Sequence, residues 1–134
     1  MNQYLLDTNI CIYYIKGMYN LDKKILSVGL EYCFISEITI AELKFGVENS
    51  SKKHKEKNRA VINNFIENIQ IVPIITSLDV YATEKVRLRK AGTPMDEFDL
   101  LIGCSAIANG ITLITNNIKH FQHLQDIRLE NWTV

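Results

Sequence analysis

Three acidic residues stand where apolar ones would be expected. Asp7 follows the apolar run Tyr4-Leu5-Leu6, Glu42 lies between Ile38 and Phe45 at helical spacing, and Asp99 precedes Leu100-Leu101-Ile102. Burying an isolated carboxylate costs several kcal/mol, so such acids are normally paired or bound to metal. Each has a structural explanation of its own. Asp7 and Asp99 can cap the helices they precede, and Glu42 can protrude at the margin of its stripe. Jointly they map to one end of one sheet, with no basic residue beside them in sequence. Convergent carboxylates repel one another. A hard divalent cation relieves that repulsion, and oxygen-only donors select Mg²⁺ or Mn²⁺ over zinc. Such a cluster can activate a water and stabilise both oxygens of an in-line phosphoryl displacement. Nuclease chemistry is the expectation from residue types alone.

The elements that must hold these acids are short apolar strands alternating with helices. Strands are predicted at residues 4–6, 32–35, 69–75, 111–114 and 128–130. Helices are predicted at 8–16, 21–28, 37–48, 52–68, 78–91, 98–109 and 118–124. Ser36 is a reasonable N-cap, Thr76 and Asp79 have capping-box spacing, and Pro73 suggests an edge or a strand end. The helix holding Glu42 is expected to bury Ile38, Ala41 and Phe45. Residues 98–109 are apolar nearly all round, with Gly103, Ser105, Ala106 and Ala108 permitting close approach, as in a central helix. The pattern predicts an α/β fold, an α/β/α sandwich around a central, mostly parallel sheet, with residues 1–134 as one domain. Ligands of such folds sit beyond the carboxyl ends of the strands, where Asp7 and Thr115-Asn116-Asn117 fall.

Composition excludes less than it first suggests. Fifteen Lys and Arg balance fifteen Asp and Glu across 134 residues, which removes the simplest argument for nucleic acid but leaves segregation by face. Cys11, Cys33 and Cys104 have neither disulfide nor zinc spacing and read as reduced core thiols. With no leader-like start and no apolar stretch of the ~20 residues needed to span a bilayer, the expectation is a soluble, cytoplasmic protein with no membrane partner.

The motifs carry a resemblance. Leu5-Leu6-Asp7-Thr8-Asn9, Ile38-Thr39-Ile40-Ala41-Glu42-Leu43 with Gly46-Val47, Gly92-Thr93-Pro94 leading to Asp99-Leu100-Leu101-Ile102, and Leu113-Ile114-Thr115-Asn116-Asn117 occur in that order, closing with Glu130-Asn131-Trp132. The chain resembles the PIN-domain family, in particular VapC-type toxins of type II toxin–antitoxin systems, over essentially its full length. The resemblance implies an endoribonuclease dependent on one or two Mg²⁺ or Mn²⁺ ions, inhibited by a cognate VapB-like antitoxin, and a homodimer. It implies Asp7, Glu42 and Asp99 as catalytic metal ligands, with Glu42 binding directly or through water. Thr8, Asn9, Thr115 and Asn116 are implied as polar neighbours that hold the carboxylates. One departure stands out. Many PIN domains carry a fourth acid where this chain has Asn117, or Asn116 if the register slips. Asp96, three residues before Asp99, is the alternative; it reads equally as a solvated acid at a helix start.

Positive charge offers further candidates. Arg87, Arg89 and Lys90 lie upstream of Asp96 and could hold an RNA phosphate or an antitoxin carboxylate. The run from Lys52 to Arg59 reads better as a solvated helix start. His120 and His123 read as surface residues, and Tyr13, Tyr14, Met18 and Tyr19 as either core or an antitoxin-binding surface. The alternatives are a non-toxin PIN nuclease of RNA processing and a weakly metal-binding, non-catalytic PIN-like module. A haloacid-dehalogenase phosphatase would need an Asp at position 9, which is Asn9 here, and no acceptor Asp follows residues 69–75 as a receiver domain requires.

Overall fold

A computed structural model describes residues 2–134. Its elements run β1 (Tyr4–Leu6), α1 (Thr8–Ile15), α2 (Leu21–Val28), β2 (Cys33–Ser36), α3 (Glu37–Glu48), α4 (Lys55–Glu67) and β3 (Gln70–Val72). They continue with α5 (Leu78–Lys90), α6 (Glu97–Ala108), β4 (Thr112–Ile114), α7 (Ile118–Phe121) and β5 (Leu129–Glu130). The strands form one sheet in the order β3-β2-β1-β4-β5, every pairing parallel. The expected sandwich is therefore present, with a sheet more uniform than "mostly parallel".

Strand alternation splits the core into two layers. Leu5, Phe34 and Leu113 point to one face, against Leu88 of α5, Ile102 and Ala106 of α6, and Phe121. Leu6, Cys33, Ile35 and Ile114 point to the other, against Ile10 and Cys11 of α1, Ile25 of α2, Leu43 of α3 and Phe65 of α4. Each fully buried Leu or Ile contributes about 1.5–3 kcal/mol relative to exposure. The chain lays β1, β2 and β3 towards one edge, then returns to place β4 and β5 on the other side of β1. The carboxyl ends of β1 and β4 thus flank the point where strand order reverses, the usual ligand crevice of such sheets.

Three local expectations fail for identifiable reasons. In α3 the buried residues are Ile38, Thr39, Leu43 and Val47, whereas Ala41 is exposed and Phe45 is 69% exposed. The helix straddles both core layers, so its inner face is wider and rotated from the expected stripe. Thr76 does not cap α5: its hydroxyl donates to the Pro73 carbonyl, closing a short 3₁₀ turn at Ile74–Ser77. β3 stops at Val72, and Pro73 begins that turn, so the edge-strand signal was also an end signal. Ser36, by contrast, caps α3 as expected, its hydroxyl oxygen accepting from the Ile38 amide at 3.0 Å. α6 buries Leu100, Ile102, Gly103, Cys104, Ser105 and Ala106, but Ala108 lies exposed at its end.

Candidate active site

β1 is too short to carry its chain past Leu6, and the Asp7 amide continues the sheet by donating to the Ile114 carbonyl at 2.9 Å. Asp7 is thereby fixed beside Thr115, the first residue beyond β4. Its Oδ1 accepts from the Thr8 amide and its Oδ2 from the Thr115 hydroxyl, both at 2.8 Å. The Thr115 hydroxyl oxygen in turn accepts from the Asn117 amide at 3.0 Å. Asp7 is only 5% exposed.

Thr8 opens α1 and joins the first acid to the second. Its hydroxyl donates to Glu42 Oε1 at 2.6 Å and lies 3.0 Å from the hydroxyl of Thr39. Thr39 precedes Glu42 by three residues, so both share one face of α3. The Thr39 contact was absent from the sequence reading, although that spacing could have revealed it. Asp99 arrives from α6, whose first turn is capped by Asp96 through a long 3.4 Å bond to the Asp99 amide. Asp96 is therefore the capping residue, and its exposed side chain lies one turn before Asp99.

The carboxylates feel one another. Burial pushes the Asp7 carboxyl above its ordinary value against the bonds from Thr115 and Thr8, and the Glu42 charge adds to the rise. Burial also raises Glu42, with Thr8 opposing and Asp99 and Asp96 contributing. Asp99 is raised by burial, then by Asp7 and Asp96, with His120 opposing. His120 is a surface residue, as expected, and its Nδ1 stands 3.7 Å from Asp99 Oδ2, beside the acids. Among the described residues no three His, Cys, Asp or Glu side chains already converge as one coordination sphere. The donor chemistry nevertheless suits a hard cation: three mutually repelling carboxylates, with no Lys or Arg bridging them.

Other predicted residues lie elsewhere. Asn9 is exposed on α1 and makes no side-chain hydrogen bond among the described residues. Asn116 donates through Nδ2 to the Tyr13 hydroxyl at 3.2 Å, and its buried Oδ1 has no partner, so it braces α1 and leaves the carboxylates to others. Arg87 is engaged internally: Nε and Nη2 donate to Glu84 at 2.7 and 2.8 Å, and Nη2 also to the His123 carbonyl at 2.6 Å. Glu84, 5% exposed, accepts the Gln125 amide as well, and sequence alone did not single it out. Arg89 borders a hollow on the far side of Pro94 and Met95, with Lys85 and Glu97. Lys90 is exposed at the end of α5. Lys55 and Arg59 pair with Glu48 of α3, and Lys52 and Lys53 are exposed, as a solvated helix start requires. Tyr13 stacks edge-on against Tyr19 and Tyr14 lies against Phe65 of the core, so Tyr13 and Tyr14 are core-packed while Met18 and Tyr19 are exposed.

The profile of the PIN domain matches residues 4–126. The chain belongs to the PIN-domain family. Among relatives of this PIN-domain protein, ribonuclease VapC2 of Rickettsia felis is 37% identical over 96% of this chain and 97% of its own. The tRNA(fMet)-specific endonuclease VapC of Salmonella typhimurium is 31% identical over 98% and 99% of the two chains. The solved structure of DNA-bound VapBC from Salmonella typhimurium superimposes with a TM-score of 0.90 at 30% identity, covering 98% of this chain and 99% of that one. No helix of the PIN-domain protein is long and apolar enough to cross a membrane, among the described residues.

Proposed function

We propose that this PIN-domain protein is an endoribonuclease that hydrolyses RNA phosphodiesters with water, and that it is the toxin of a type II toxin–antitoxin pair. The observation that carries the reading is the joining of Asp7, Thr8, Thr115 and Glu42 by short hydrogen bonds at the strand-order reversal, with Asp99 near enough for its charge and that of Asp7 to be felt across the group. Relatives named as ribonucleases, and a neighbour solved as a VapBC assembly, support both halves of it.

Asp7, Glu42 and Asp99, with Asp96 and Asn117 at the margin, are the residues that would hold one or two Mg²⁺ or Mn²⁺ ions. Such an ion, when bound, acidifies a coordinated water and offsets the charge of the phosphate. The chain's own groups do the rest. Thr8 and Thr115 each occupy one oxygen of Asp7, fixing the orientation of its carboxylate. Glu42 engages Thr8 through Oε1 only; Oε2 is free to orient the attacking water and accept its proton. Burial and its acidic neighbours raise the proton affinity of Glu42, which suits that task.

An apolar groove of about 240 Å³ lies between α1, α3 and α4, walled by Ile12, Ile15, Leu43, Val47 and Ile62 and bordered by Glu42. An antitoxin segment seated there would reach the acids, which is how one partner could inhibit without covering the whole molecule. The purified protein should cut RNA with Mg²⁺ or Mn²⁺ and stop on chelation. Asp7→Asn and Asp99→Asn should each lower the rate at least about a hundredfold, by analogy with losing one transition-state charge stabiliser. Parental rates in both variants would overturn the mechanism. Growth arrest on expression, relieved by a co-expressed antitoxin, separates a toxin from a processing nuclease.

A further inference from the structure

Beside Asp99 runs a groove of about 460 Å³, with the 92–95 loop, Asp96 and Asp99 on one side and Lys119, His120 and His123 on the other. We infer that the Lys119 side of this groove binds backbone phosphate of the RNA strand flanking the cut, so that the scissile phosphate is delivered to Asp99. The inference rests on the endoribonuclease reading and deepens it.

Two independent observations meet here. The first is charge placement. Acids line one wall and cationic or cation-capable side chains the other. A polymer with regularly repeated phosphates suits both: one phosphate at the acid cluster with its cation, the next on the basic wall. Lys119 forms no ion pair among the described residues, so its ammonium is not spent on neutralising the protein's own acids. Only His120 approaches Asp99.

The second observation is how firmly the wall is held. α7 is a single turn, too short to sustain itself. Yet Phe121 and Leu124 are buried against α6, where Gly103 leaves room for them. Behind them the Glu84–Arg87 pair takes both the His123 carbonyl and the Gln125 amide. A charge pair with a buried carboxylate is thus committed to fixing an irregular segment whose exposed side chains include Lys119, His120 and His123. Fixing the backbone in advance lowers the entropic cost of binding a flexible strand. An acidic peptide would also meet the cations. It has no reason, however, to lie alongside Asp96 and Asp99, where a phosphate has to come for cleavage.

The test uses the Asp7→Asn protein, which keeps RNA intact, and a fluorescein-labelled single-stranded RNA dodecamer of mixed sequence read by anisotropy. Adding Lys119→Glu should weaken binding roughly tenfold and reduce the salt slope by about 0.7, one phosphate contact on a single strand. Lys53→Glu, an exposed lysine outside the groove, should change affinity less than about twofold. In the cleaving protein, the loss from Lys119→Ala should fall on KM more than on kcat. Equal affinity for the two charge reversals overturns the groove while leaving the nuclease reading intact. Lys119-dependent binding by a protein that never cuts RNA supports the groove and sinks the nuclease reading. No RNA binding at all sinks both. Loss of antitoxin binding with RNA binding untouched overturns the inference in favour of a peptide site.

Discussion

Asp99 is half-buried, is pushed towards protonation by burial and then by Asp7 and Asp96, and has one ion-pair approach, from His120. A group whose folded pKa is raised is held protonated more tightly by the folded chain than by the unfolded one. Its ionisation therefore removes stability as pH climbs from its ordinary value of 3.8 through the raised one. In a chelator at neutral pH the full penalty applies. Asp99→Asn is then expected to raise metal-free stability by about 1 kcal/mol, in the range found when a strained functional residue is relieved. The gain should shrink as pH falls below the raised value, because the parent's carboxyl is then neutral too. Thermal unfolding in EDTA from pH 7 to pH 4 checks both points; a gain that grows towards acid contradicts them. The types and order of the acids were legible because carboxylates in apolar surroundings are conspicuous. Which of their four polar neighbours would touch them was legible only in part. Thr8 and Thr115 lie 107 positions apart in the chain and meet only through Asp7, whereas adjacent Asn9 is turned to solvent and Asn116 braces Tyr13.

Element boundaries were read nearly to the residue wherever a cap or a glycine marked them. Ser36 caps α3, and Gly92 and Gly110, both with positive φ, follow the ends of α5 and α6. What periodicity missed was the rotation of α3, since a helix touching two core layers does not show a single stripe. α6 tells the complementary story. A Cβ on Gly103 would stand 2.3 Å from Leu124 Cδ1 and 3.3 Å from Phe121 Cδ1, so this position brings α6 against the segment that carries Lys119 and His120. Gly103→Val should cost about 1–3 kcal/mol through overpacking, partly offset by loss of glycine's poor helix propensity. The displaced atoms belong to Phe121 and Leu124, both buried, so the 118–124 segment must move. RNA affinity should drop along with Tm. Unchanged affinity in a folded Gly103→Val protein would show that the wall tolerates the shift.

At the scale of the molecule, zero net charge conceals a divided arrangement: Asp7, Glu42 and Asp99 share one end of the sheet, while Lys55 and Arg59 are bound to Glu48 and Arg87 to Glu84. The strand-order reversal that gathers the acids is not visible in any local window, because β1 and β4 pair across more than a hundred residues. The three carboxylates come from the end of β1, the middle of α3 and the first turn of α6, segments far apart in the chain. An ion held among them would act as a cross-link as well as a reagent. Anything that binds the folded state alone stabilises it by RT ln(1 + [L]/Kd), about 2.7 kcal/mol at a hundred times Kd. Mn²⁺ or Mg²⁺ should accordingly raise the parent's Tm by several degrees and Asp99→Asn far less. The stability order should then invert: the variant above the parent in EDTA, the parent above the variant in saturating metal. Scanning calorimetry of both proteins in both buffers reads this directly. Parallel shifts would mean that the cation binds elsewhere on the chain.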